Sequence, residues 1–206
     1  MTIDKSFYWV LYGVVSILLI WSAYSDYKTR TVPRVAGLGI WAIGLIYLLI
    51  HQNWICAGYY IFITLVSGVR RNIYGQILII VVTFIVLVLA NNQSDLIIGL
   101  LFTTVLYQAG IFSGGDAQIA FALFAFSQNL LIIYFLFLPD MILAIVLNLK
   151  RFGVKGAINR ARTILNNFRT LNSPSQDPDA IWFPWIVLAT PGALIYIWLY
   201  PGIAIK

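Results

Sequence analysis

Phe7-Tyr-Trp-Val-Leu-Tyr-Gly-Val-Val-Ser-Ile-Leu-Leu-Ile-Trp-Ser-Ala-Tyr24 runs directly into Ser25-Asp-Tyr-Lys-Thr-Arg-Thr-Val-Pro-Arg34. The first stretch carries no charge and approaches the length of a bilayer-crossing helix, which needs about 20 apolar residues. It follows Asp4 and Lys5 and lacks a small-residue cleavage site, so it reads as a first spanning helix and not as a removable signal peptide. The second stretch is charged and bulky and closes the span. This alternation of a long apolar run with a short polar break recurs to the end of the chain.

Eight runs follow from it: 7–24, 35–50, 54–69, 73–90, 96–112, 117–127, 130–149 and 182–200. Several are at or below the short end of the usual spanning range. The sixth is too short to cross alone, and one arrangement makes it half of a helical hairpin with the seventh. The breaks fall alternately on two sides. Of the 13 bases, Lys28, Arg30, Arg34, Arg70, Arg71, Lys150, Arg151, Lys155, Arg160, Arg162 and Arg169 share one side, leaving only Lys5 and Lys206 on the other. The positive-inside rule makes the first side cytoplasmic and puts both termini outside. The expected fold is an all-α polytopic transmembrane bundle of about eight short helices, a single domain over 1–206 with a cytoplasmic loop at about 150–181.

Composition points the same way. Hydrophobic residues make up 61% of the 206 positions and charged residues 10%, an apolar excess that one soluble core cannot hide. The net charge of +6 reflects membrane orientation; the bases are not gathered on a soluble basic domain, so nucleic acid is not an expected partner. Cys56 is the sole cysteine, which excludes a disulfide framework or a four-cysteine zinc site within one chain. Over 150–168, Phe152, Val154, Ile158, Ile164, Leu165 and Phe168 stand among spaced bases. That pattern fits either an amphipathic helix on an anionic leaflet or an ordinary connector. Asn172-Ser-Pro-Ser-Gln-Asp-Pro-Asp179 then reads as a loop. Tryptophans near the span ends fit interfacial anchors.

All seven acids are Asp, and each near lipid needs a reason. His51 is the only histidine, on the outer side, so no Ser–His–Asp set can be assembled on one face and no metal signature is present. Acid–base work would fall to carboxylates. Asp26 closes the first span and Asp116 the fifth, and the topology brings both to the cytoplasmic face. Two carboxylates brought close share a proton, after which the charged one activates water and the neutral one protonates a carbonyl oxygen. Gly114 and Gly115, without side chains, would let a substrate backbone approach. An interfacial ion pair with Lys28 or Arg30 is the plainer account of Asp26. Asp140, about ten residues or roughly 15 Å inside the seventh span, is either an intramembrane functional acid or a cap for a helical break at Pro139. Asp177 and Asp179 fit a solvated loop, and Asp95 has no evident role.

Asp26-Tyr-Lys-Thr-Arg30-Thr-Val32-Pro33 after an apolar helix resembles the first aspartate block of the prepilin peptidases, which often reads Asp, three residues, Arg, then Ile-Pro-Asn. Ser113-Gly-Gly-Asp116-Ala-Gln118 resembles their second block, the GxGD signature followed two places on by Lys. Ile181-Trp-Phe183-Pro184-Trp-Ile-Val-Leu-Ala189 is similar to the family's last, proline-containing helix. Arg34 stands for the usual Asn, Ser113 for the first Gly and Gln118 for the Lys. The gap between the aspartates is longer than usual, as one extra hairpin with Arg70 and Arg71 at its tip would make it. The resemblance is to the short archaeal or tight-adherence form without the zinc-binding, methylating extension. It implies a multi-pass aspartic endopeptidase of the cell membrane, with its active site facing the cytoplasm and no cofactor. Asp26 and Asp116 would be catalytic, with Gly114, Gly115, Arg30 and Gln118 shaping the site. The implied substrate is a pilin- or archaellin-like precursor whose basic leader is removed. Pro191-Gly-Ala-Leu194 allows a presenilin-like intramembrane peptidase as an alternative; a non-enzymatic transporter or assembly scaffold built on Asp140 is another.

Overall fold

Apolar residues at every position of a helix leave it no polar face to turn outward, so such a helix belongs in the interior. Ala117-Gln-Ile-Ala-Phe-Ala-Leu-Phe-Ala-Phe126 is nearly that sequence, and the structure, a computed structural model, is organised around it. Residues 5–29, 31–67, 73–90, 92–108, 112, 114–170 and 185–199 are described. Arg30, Arg70, Arg71, Ser113, Asp177 and Asp179, together with the side chain of Asp140, lie outside the described residues.

The described chain is helical: α1 (Lys5–Thr29), α2 (Arg34–Ile50), α3 (Trp54–Ser67), α4 (Ile73–Leu89), α5 (Ser94–Gln108), α6 (Gly114–Ser127), α7 (Ile132–Thr170) and α8 (Trp185–Leu199). Every residue of α6 from Ile119 to Ser127 is buried. Its principal neighbour is α2, followed by α5, whereas its contact with α7 is slight. The hairpin of sixth and seventh runs is therefore not the arrangement adopted. Gly44 explains why α2 comes so near: a Cβ placed there would lie 3.1 Å from the Ala122 Cα.

Helix directions follow from named contacts. Gly37 of α2 lies beside Gln118 of α6, and the Tyr47 ring is 5.2 Å from that of Phe126, so α2 and α6 run parallel. The Tyr8 hydroxyl is 3.3 Å from His51 Nε2, setting the start of α1 by the end of α2. Trp9 stacks on Trp198 at 5.5 Å, and Trp198 Nε1 donates to Ser16 Oγ at 3.1 Å, so α8 returns antiparallel to α1. The end of α1 and the starts of α2 and α6 thus share one end of the bundle. Asp95, without an assigned role in the sequence, accepts the Leu130 N–H at 3.4 Å at the opposite end and steadies the turn into α7.

Two features of α7 depart from expectation. Its backbone is helical through Pro139; the break falls at Gly153 (φ 65, ψ 179), which divides the run into helices over 132–152 and 154–170. Such a backbone conformation is open to glycine and strained for other residues. Among the described residues, α1 alone is long and apolar enough to cross a bilayer, while α2, α3, α5, α8 and most of α4 are shorter apolar helices. The exterior is nevertheless as greasy as the interior: α4 alone exposes Ile77, Ile80, Val81, Phe84 and Val88.

Packing of α8 on α7 depends on Gly192, where an added Cβ would collide with the Phe135 carbonyl, a backbone atom that cannot swing aside. Gly192→Ala is expected to destabilise the fold by about 1–3 kcal/mol through overpacking. Gly13→Ala, with nothing within 4 Å of the new methyl, should leave stability unchanged or slightly raised. Thermal unfolding of the detergent-solubilised protein measures both.

Candidate active site

Around Asp26 the last turns of α1 are solvent-facing: Tyr24, Tyr27, Lys28 and Thr29 are all exposed, yet Asp26 itself is only 4% exposed. It points inward. Asp116, in the first turn of α6, is 8% exposed. Ninety positions of sequence separate the two, but the shared end of α1 and α6 brings their carboxyls within electrostatic reach of each other.

The linker between α1 and α2 makes this possible. Ser25 Oγ donates to the Thr31 carbonyl at 3.0 Å, and Thr29 Oγ1 donates to the Ser25 carbonyl at 2.8 Å. These hydroxyl contacts tie the last turn of α1 to the linker. Pro33 then supplies an extended residue (φ −60, ψ 127) from which α2 starts. Between these points Val32 folds back onto α6, where a Cβ on Gly115 would lie 2.6 Å from the Val32 Cβ.

The two glycines beside Asp116 therefore differ. Gly114 is exposed with nothing within 4 Å of where a side chain would be. Gly115 is filled over by Val32, and its lack of a side chain serves the junction of linker and helix. Gln118 is half-buried; its side-chain oxygen would meet a Cβ on Gly37 at 2.6 Å, so the amide lies against α2. The contribution expected of Arg30 falls outside the described residues, as does the side-chain environment of Asp140. Neither Val32 nor Gly37 was singled out by sequence reasoning. The seven-residue spacing of Gly37 and Gly44, two turns along one face of α2, is the signal that would have found the close approach.

Asp26 lies two residues past the apolar run 7–24, at the polar end of its helix. It is buried there, with the Asp116 carboxyl within electrostatic reach. Among the described residues no base is paired with it, so the ion-pair account with Lys28 has no contact behind it. Helix ends add an asymmetry. Asp116 sits in the first turn of α6, where the helix dipole favours a negative charge, whereas Asp26 sits in the last turn of α1, where it disfavours one. The arrangement sets two buried carboxyls side by side at one end of the bundle, where such a pair can share one proton.

Comparison with protein-family models, curated proteins and solved structures found no match to this chain.

Asp26 is buried beside a second carboxyl with no described base paired to it, and such a group costs stability. Asp26→Asn is expected to melt at a higher temperature than the parent at pH 7.5; differential scanning fluorimetry of the two proteins measures it.

Proposed function

We propose that this chain is a membrane-embedded aspartic peptidase. The observation that carries the reading is the pair itself: two buried carboxyls from distant parts of the chain, coupled to each other at one end of an otherwise apolar bundle. Buried acids are costly, and a buried acid pair in an apolar protein is where acid–base chemistry is to be sought. The exposed apolar faces of α1 and α4 support a bilayer as the surrounding solvent, since a soluble monomer rarely exposes so much contiguous apolar surface. Helices of 14–17 residues are about 21–26 Å long, so the bilayer would thin locally or the flanking residues would extend the span. On this reading the bases of the Asp-bearing end put it at the cytoplasmic face.

Within that class the chain is best read as a prepilin peptidase of the short form, on the strength of the two aspartate blocks. Asp116 takes a proton from water as the oxygen attacks the scissile carbonyl, and Asp26 gives its proton to the carbonyl oxygen. Collapse of the resulting diol breaks the C–N bond: Asp116 passes the proton it took to the leaving amine, and a diol hydroxyl returns its proton to Asp26, which restores the pair. The substrate is a pilin- or archaellin-like precursor with a basic leader before an apolar helix. That helix would lie in the bilayer, leaving the leader junction at the level of the acids. Exposed Gly114 leaves room for a substrate backbone there.

In cells co-producing a pilin precursor, Asp26→Asn and Asp116→Asn are each expected to reduce leader removal to background. Both proteins should remain in the carbonate-washed membrane fraction and elute normally on size exclusion. Full cleavage by either variant overturns the peptidase, and release of the parent protein by carbonate overturns the membrane placement.

A further inference from the structure

The helix over 154–170 has no part in the acid pair and is unlike the rest of the fold. Six bases, Lys150, Arg151, Lys155, Arg160, Arg162 and Arg169, stand in this region, and no acid occurs between Asp140 and Asp177 to neutralise them. Lys155 and Arg162 are exposed. So are two large apolar residues, Val154 at 65% and Ile158 at 49%, which no described part of the chain covers. The sequence is not randomly mixed. Val154, Ile158, Ala161 and Leu165 recur at the three- and four-residue spacing of one helix stripe, and Lys155, Arg162 and Arg169 recur every seven residues beside it. Asn159, Thr163, Asn166 and Thr170 fall opposite. An apolar stripe with bases along its border and a neutral polar back is the pattern of a helix lying flat at a lipid–water boundary.

We propose that the helix over 154–170 docks on an anionic phospholipid surface, with Val154 and Ile158 in the acyl boundary and Lys155 and Arg162 on lipid phosphates. The inference rests on the membrane reading above, not on the peptidase reading. Gly153 supports it. Its φ of 65 breaks the helix where the apolar part of α7 ends at Lys150 and Arg151, so a spanning segment can give way to one of different direction. The absence of acids from 141–176 makes the partner's charge specific: the exposed bases Lys155 and Arg162 gain most from a surface that supplies a counter-charge.

Single-cysteine spin labels in the full-length protein test this, since Cys56 is 2% exposed and does not take the label. Labels at Ile158→Cys and Asn159→Cys are compared in lipid nanodiscs of phosphatidylcholine alone and of phosphatidylcholine with phosphatidylglycerol. In the anionic discs the ratio of oxygen to nickel-chelate accessibility should be several-fold higher at 158 than at 159. That difference should shrink in neutral discs, and in anionic discs when Lys155→Gln and Arg162→Gln are combined. Equal water exposure of both labels in anionic discs overturns the proposal. Lipid contact at 158 that ignores headgroup charge and the double substitution also overturns it, since the surface would then not be read by charge. A label at Ile17→Cys, on the exposed face of α1, is the reference. If it too stays in water, the bilayer reading has failed and the lipid partner falls with it. Leader cleavage is not measured, so loss of the peptidase reading leaves the result standing.

Discussion

How closely α6 can approach α2 decides most of what this molecule can be. The interior helix offers small residues, such as Ala122, to a partner that offers Gly37 and Gly44. Lipid tails are as apolar as leucine, so helices in a bilayer gain little from burying apolar surface against one another. Close contact and interhelical hydrogen bonds have to hold them. The side chains of this protein fit that account on both counts. Tyr59 and Thr83 share a hydrogen bond at 2.7 Å between α3 and α4, and the Tyr60 hydroxyl donates to the Trp41 carbonyl at 3.2 Å between α3 and α2. Widening the α2–α6 contact by one methyl would move Asp116 relative to the α1–α2 linker, because Val32 and Gly115 lie at the same junction.

The electrostatic cost at that junction is deliberate in its placement. Asp26 is buried between the exposed Tyr24 and Tyr27, and a second buried acid lies near it. A protein selected for stability alone would place Asn there. Local rules are most often broken where a chain does something besides fold, and the break here coincides with the residues that motif and sidedness single out independently.

Much of this was legible because hydropathy and charge are read one residue at a time. Apolar runs, their order, and the gathering of bases at alternate breaks need no knowledge of packing, and they bring Asp26 and Asp116 to one end. What the runs could not say was who packs against whom. The sixth run, short and apolar on every side, has no periodic face to announce a partner, so α2 emerges only from the glycines that admit it. Gly115 looked like open space for a ligand until Val32 was seen to fill it, since a glycine that makes room does not say for what. Pro139 is a conspicuous helix breaker, yet the helix passes it and breaks at Gly153. Proline at an exposed position loses one hydrogen bond and can be tolerated, whereas a positive φ ends the helical run outright. Asp95 went unassigned because its partner is a backbone N–H at the start of α7, invisible to any motif.

The distance in sequence between the paired acids has a consequence for how the chain is made. Asp26 leaves the ribosome long before Asp116, and at that stage it is an ordinary carboxylate at the end of a first apolar helix, free to stay charged and hydrated. The two carboxyls meet only when α6 packs beside α2, after most of the bundle has been made. Half-built chains therefore lack the pair. It arrives late, when the surrounding helices are in place to contain it.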